Sequence, residues 1–167
     1  MLRRVVASDL PTLSKWDQDP AIIALMGKKF LDMTTEEWFA GLQGSSTYVA
    51  YAIETVDQTL IGELEFAHVN RRQGSAELRI CIGEQSYWGQ GFGTEALRLA
   101  LREAYESLGL RTVYLRVYES NQRAVSLYRR LGFRPEAVLR PCARRGDPSA
   151  VILMNLPRER WQRMLLA

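Results

Sequence analysis

Histidine is nearly absent: His68 is the only one in 167 residues. That excludes a His-rich metal site and leaves no second imidazole for a relay, so no metal is expected. Cysteine is scarce too. Cys81 and Cys142 are too few for a disulfide framework. Cys81 sits in an apolar run and is expected to be a small buried residue, not a nucleophile. No apolar run approaches the ~18 residues that a membrane span needs. Met1-Leu2-Arg3-Arg4-Val5-Val6 has two charges but no apolar stretch behind them. A first strand is expected there, not a signal peptide, in a cytoplasmic protein. The net charge is only +3, with no basic tail or aromatic–basic ladder, so nucleic acid is not an expected partner. There is no internal repeat, low-complexity tract or linker.

What is present suits one globular domain over residues 1–167. Hydrophobic residues make up 47% of the chain, enough for a core. The first third reads as helical and irregular. Ser8-Asp9 caps a helix through Leu13 and Trp16, and Thr34-Thr35-Glu36-Glu37-Trp38 opens another. Tyr48–Glu54, Leu60–Val69 and Ala76–Gly83 read as strands. In the third, Leu78, Ile80 and Ile82 share one face, and Glu77, Arg79 and Cys81 the other. A helix is expected over Thr94–Leu108, a strand over Thr112–Tyr118, and a helix from the cap Asn121 to Leu131. Ala137–Ala143 and Ala150–Asn155 close the chain as a hairpin turning at Arg145-Gly146-Asp147-Pro148. Hairpins around strand–helix–strand units give an α/β sheet with both pairing modes.

The chemistry begins at Gly89-Gln90-Gly91-Phe92-Gly93-Thr94, between a buried strand and an amphipathic helix. Glycines let backbone N–H groups approach phosphate oxygens, and the helix start adds unpaired donors and partial positive charge. A P-loop would end in Gly-Lys-Ser/Thr, and the lysine is missing. Gly91–Ala96 does fit the dinucleotide pattern G-x-G-x-x-A, with Glu119 as the ribose acid. Against a nicotinamide-dependent oxidoreductase, too few strand–helix units follow to build its sheet.

A second segment separates these readings. Asn121-Gln122-Arg123-Ala124-Val125-Ser126-Leu127-Tyr128-Arg129-Arg130-Leu131-Gly132-Phe133, with Tyr87–Leu97, closely resembles the GNAT superfamily of acetyl-CoA-dependent N-acetyltransferases. The resemblance covers Leu60 to Leu156 and is nearest the branch of ribosomal-protein N-terminal and spermidine acetyltransferases. It implies a mixed, mostly antiparallel sheet with a central splayed parallel pair and helices on both faces. It also implies that acetyl-CoA lies on Trp88, Gly89, Gln90, Gly91, Phe92, Gly93 and Thr94. Trp88 stands where the family usually has Arg or Gln, which leaves the grip on pyrophosphate chiefly to backbone. The pantetheine arm would bond to backbone near Ile80, Cys81 and Ile82, with Asn121 touching the arm and Tyr128 near its sulfur. Ser126 and Arg129 would reach toward the adenine end.

The expected reaction is direct attack of a primary amine on the thioester. A small amine, a polyamine and a protein N-terminus all fit. Freeing an alkyl amine of its proton at neutral pH costs roughly 4–5 kcal/mol, so a base or a water leading to one is needed. A backbone N–H near Ile82 would hold the oxyanion. Tyr128 would hydrogen-bond to or protonate the departing thiolate; as a plain core aromatic it would pack with Ala124 and Leu131 instead. Glu77 is the expected base, with Glu63 and Glu65 as alternates; the competing reading pairs Glu77 with Arg79 or another arginine. The acceptor site would come from Asp9–Leu42 and the hairpin at Arg144–Pro148. Trp16, Trp38, Tyr48 and Phe66 would form its wall or else serve the core, and Asp17 and Asp19 would attract a cation or else sit in a solvated loop. Ala150 and Val151 stand where related branches carry a Tyr–Asp pair, so acceptor identity does not carry over directly. A catalytically silent acetyl-CoA-binding module is the remaining alternative. Self-association as a homodimer, through strand edges or helices, is open to the chain.

Overall fold

The runs rich in β-branched and aromatic residues do form one sheet. A computed structural model describes residues 1–27, 33–140 and 150–166. Its strands are β1 (Leu2–Arg4), β2 (Val49–Glu54), β3 (Leu60–Asn70), β4 (Ser75–Ile82), β5 (Thr112–Tyr118), β6 (Arg134–Leu139) and β7 (Val151–Pro157). They lie in the order β1-β2-β3-β4-β5-β7-β6, antiparallel throughout except for β4 beside β5. A dinucleotide fold needs a mostly parallel, doubly wound sheet, so the oxidoreductase reading falls here.

The parallel pair is short, and that opens the molecule. β4 and β5 are in register only from Ser75↔Thr112 to Glu77↔Tyr114. Beyond Glu77, β4 continues to Ile82 beside β3, and β5 continues to Tyr118 beside β7. The two central strands therefore diverge, as the family resemblance implied.

Helices cover both faces. On one face lie α1 (Leu10–Asp17), α2 (Pro20–Met26) and α3 (Thr35–Leu42). α1 and α3 bury Leu13, Trp16 and Trp38 against Ala50 and Ala52, with Cys81 and Trp88 packed alongside. Thr34 caps α3 as expected: its hydroxyl accepts from the Glu37 N–H while Glu37 reaches back to the Thr34 N–H. The larger core on the other face joins Leu64, Phe66 and Leu78 to α4 (Phe92–Arg102), α5 (Gln122–Arg130) and α6 (Arg158–Leu165), whose Leu97, Val125 and Trp161 are buried there. α4 starts two residues earlier than the sequence suggests, and its last turn widens to a π turn at Glu103–Ser107. β6 ends at Leu139; Cys142 and the expected turn at Arg145–Pro148 lie outside the described residues. No helix among the described residues is long and apolar enough to cross a membrane.

Candidate active site

The sheet's own alternation aims backbone groups into the gap. A Cβ on Gly62 of β3 would stand 2.4 Å from the Cys81 carbonyl oxygen, so that oxygen faces β3 and the approach requires glycine. Gly74, in the opposite phase, accepts from the N–H groups of Arg111 and Thr112 on the β5 side. Alternation along β4 then turns the groups of Ile80 and Ile82 toward β5, where the parallel ladder has already ended. These are the strand positions expected to bind an extended amide chain.

At the end of β4 a short 3₁₀ turn, Gln85–Tyr87, leads into the glycine loop. Gly89 and Gly91 have φ of 79° and 90°, a left-handed conformation that costs any other residue energy. A side chain at Gly91 would point into open space. That space lies at the start of α4, where unpaired N–H groups and the helix dipole favour an anion. Phe92 packs edge-on against Tyr87 at 5.3 Å, and Gln90 turns back to donate to the Ser86 carbonyl at 2.6 Å. The loop thus offers backbone, as a pyrophosphate cradle requires.

Trp88 is turned inward. Its indole N–H donates to the Ile82 carbonyl at 2.7 Å, and its ring packs on the α1–α3 side. It brackets the end of β4 instead of projecting toward the phosphate space. Trp16 donates to Glu84 at 3.0 Å and ties α1 to the same strand end.

Tyr128 arrives from α5. Its ring meets Phe133 edge-on at 5.8 Å, and the residue is half-buried. Burial pushes its pKa up to about 12, and nearby Cys81 adds to the push. Cys81 itself is half-buried, more open than its apolar surroundings suggested. Asn121 caps α5 by accepting from the Ala124 N–H at 3.2 Å, and its amide donates to the Leu25 carbonyl at 3.5 Å. Ser126 and Arg129 are exposed on the same helix.

Glu77 lies where the two strands part. Its side chain is 4% exposed. Arg116 Nε and Nη2 donate to its two carboxylate oxygens, both at 2.9 Å, and Arg79 adds a bond at 3.2 Å. Burial pushes this carboxyl up, but the bonds from Arg116 and Arg79 outweigh it and hold the pKa below the usual value. Arg116 was not among the expected site residues; alternation along β5 does put it on the face of Tyr114, level with Glu77. Cross-strand pairing makes a row on the α1–α3 face: Glu63 opposite Cys81, Glu65 opposite Arg79, Ala67 opposite Glu77. Glu65 accepts from Trp38 at 3.0 Å and Arg79 at 3.1 Å.

The expected acceptor wall resolves differently. Trp16 and Trp38 are core because α1 and α3 press them onto the sheet, and Phe66 of β3 is core on the opposite face. Asp17 accepts from the Thr35 hydroxyl, and Asp19 caps α2 through the Ala21 N–H. His68 is exposed, near Tyr48 and Arg79. Among the described residues no cluster of His, Cys, Asp and Glu is suited to a metal.

Known proteins share this arrangement. The acetyltransferase (GNAT) domain family matches residues 1–134. The uncharacterised N-acetyltransferase p20 of Bacillus licheniformis is 25% identical over 146 residues, 83% of this chain and 81% of that protein. The spermidine N(1)-acetyltransferase of Escherichia coli is 39% identical over 80 residues, but the match spans only 48% of this chain and 41% of that protein. A spermidine N-acetyltransferase from Vibrio cholerae, solved with CoA and spermine, superposes with a TM-score of 0.88 over 97% of both chains at 24% identity, which speaks for the fold. With the splayed β4–β5 pair, the glycine cradle and the family match over most of its length, the chain belongs to the GNAT family of N-acetyltransferases.

Proposed function

We propose that this enzyme transfers the acetyl group of acetyl-CoA to a cationic amine, with polyamines as the acceptor class, and that the transfer takes place in the gap between β4 and β5. The observation that carries the reading is the early end of the β4–β5 ladder, at Glu77↔Tyr114, with the glycine loop following β4 into the start of α4. Acetyl-CoA supplies the activated thioester. Gly89–Thr94 and the start of α4 suit its pyrophosphate, and the backbone groups of Ile80 and Ile82 suit the amides of its arm. The Ile82 N–H is the donor for the oxygen that gains charge during attack. Trp88 keeps the neighbouring carbonyl of Ile82 occupied.

Glu65 and Glu77 of the row are held by Arg79 and Arg116, and Glu63 is the carboxylate assigned to the ammonium. Glu77 is anchored by two guanidinium groups and is a weak proton acceptor, so in this reading it fixes the floor of the row. Glu63, level with Cys81, stands closest to the reacting end and takes the proton directly or through water. The polyamine class gains further support from the Escherichia coli and Vibrio cholerae spermidine acetyltransferases, which this chain resembles. Tyr128 stays protonated and donates a hydrogen bond to the departing sulfur. Complete transfer to a thiolate near 8.5 would be uphill by about 5 kcal/mol, so the hydrogen bond does the work.

The test is release of free thiol from acetyl-CoA over a panel containing spermidine, a neutral-tailed monoamine and an N-terminal peptide, with wild type and Glu63→Gln. Wild type is expected to prefer spermidine, and Glu63→Gln to lower kcat/KM for it at least about tenfold. Equal rates with all three acceptors, or an unaffected variant, would defeat this reading.

A further inference from the structure

The row on the α1–α3 face turns cationic at its surface beyond Cys81. Glu65 and Glu77 keep only 5% and 4% of their side chains exposed, whereas Arg79 and Arg116 over them keep 35% and 48%. A molecule lying on this face therefore meets guanidinium first and carboxylate only beneath it. The two arginines also stand at one level. β4 and β5 last pair at Glu77↔Tyr114, and Arg79 and Arg116 follow two residues farther on, one on each strand. They flank the closed end of the gap, with Glu77 bonded to both. Both guanidinium groups are fixed in place. Arg116 makes a two-bond fork with Glu77, while Arg79 bonds Glu65 and Glu77 and lies 3.3 Å from His68 Nε2. His68 reaches it from the irregular stretch of β3 between Ala67 and Asn70, where its φ is 52°.

We infer that Arg79 and Arg116 form a cationic stop at the closed end of the gap, a specificity determinant that fixes which way a multiply charged acceptor lies. The inference rests on the reading above, in which a cationic amine meets Glu63. Cys81, opposite Glu63, is two residues from Arg79, about 7 Å along the strand. That is within a Debye length, so a second ammonium pointing toward Glu77 is repelled. The acceptor's tail is directed toward the open end of the gap instead. A monoamine has no second charge to place and is constrained less. Discrimination here comes from a repulsive element, not from an added contact.

Steady-state kinetics with spermidine and butylamine test this in wild type, Arg116→Gln, Arg116→Lys and Arg79→Gln. The quantity read is kcat/KM for spermidine divided by kcat/KM for butylamine. Arg116→Gln is expected to raise this ratio at least about threefold, through a lower KM for spermidine, and the rise should shrink at high salt. Arg116→Lys keeps the charge and should keep the wild-type ratio. Arg79→Gln leaves the fork between Arg116 and Glu77 in place and should move the ratio in the same sense, so it carries the test if Arg116→Gln does not fold. An unchanged ratio in the folded glutamine variants would reduce the arginines to holding Glu77 and overturn the assignment. A lower ratio would overturn it as well, by showing that guanidinium helps to bind the polyamine. A wild type that used butylamine as well as spermidine would defeat the polyamine reading, and the shift between wild type and variants is read separately from it.

Discussion

Tyr128 illustrates how position sets the role of a residue. From sequence it is one aromatic in a helix, at core spacing with Ala124 and Leu131. In the fold it packs on Phe133, and burial pushes its pKa up to about 12. The useful form for donation is the protonated one. A raised pKa therefore extends the active range upward in pH. We expect kcat/KM to climb with pH as the amine loses its proton, with no falling limb from Tyr128 below about pH 10. Tyr128→Phe should lower kcat at least about tenfold while leaving acetyl-CoA affinity close to wild type. Steady-state kinetics across pH check both statements. An unchanged kcat in the variant would remove the hydroxyl from the reaction, whereas a wild-type falling limb near pH 8.5 that the variant lacks would keep it there but contradict the raised pKa. Glu77 carries the opposite lesson. Its place on β4 is legible from alternation alone, but its bidentate partner Arg116 is 39 residues away and visible only once β4 and β5 are aligned.

At the scale of elements, the proposed active site is a consequence of a ladder that stops early. β4 is held by β3 along its whole length and by β5 only as far as Glu77. Gly62 is central to that hold, because a Cβ there would meet the Cys81 carbonyl at 2.4 Å. Gly62→Ala should force β3 and β4 apart, cost about 1–3 kcal/mol, and lower the melting temperature by several degrees. It should also weaken acetyl-CoA, since the phase of Ile80 and Ile82 depends on this pairing. Melting and binding together test this. A wild-type melting temperature with wild-type affinity would show that the close approach relaxes harmlessly. The glycine loop and α5 were legible because each has a local cause: a turn needing positive φ, and an asparagine cap followed by an apolar stripe. α2 was missed because Pro20–Met26 is too short for a periodic signal, and the inward turn of Trp88 because its partner is a backbone carbonyl that no side-chain pattern marks.

For the whole molecule, the two faces of the sheet divide the labour. α4, α5 and α6 pack on one face, where α4 begins at the glycine loop and α5 carries Asn121 and Tyr128. α1, α2 and α3 cover the other and border the row of Glu63, Glu65 and Glu77. The mixed sheet with a parallel pair was legible in the order of hairpins and strand–helix units, and its splay followed from the family resemblance. The acceptor wall was not: Trp16, Trp38 and Phe66 serve the core, a use that residue type alone does not separate from lining a pocket. The central claim is that the outer part of β4 opens its backbone to acetyl-CoA. Amide hydrogen exchange measures that backbone directly. On adding acetyl-CoA, the N–H groups of Ile80 and Ile82 and those of Gly89–Thr94 should exchange markedly more slowly, with no such change on adding NAD. Unaltered exchange at Ile80 and Ile82 under saturating acetyl-CoA, or equal protection by NAD, would contradict the account.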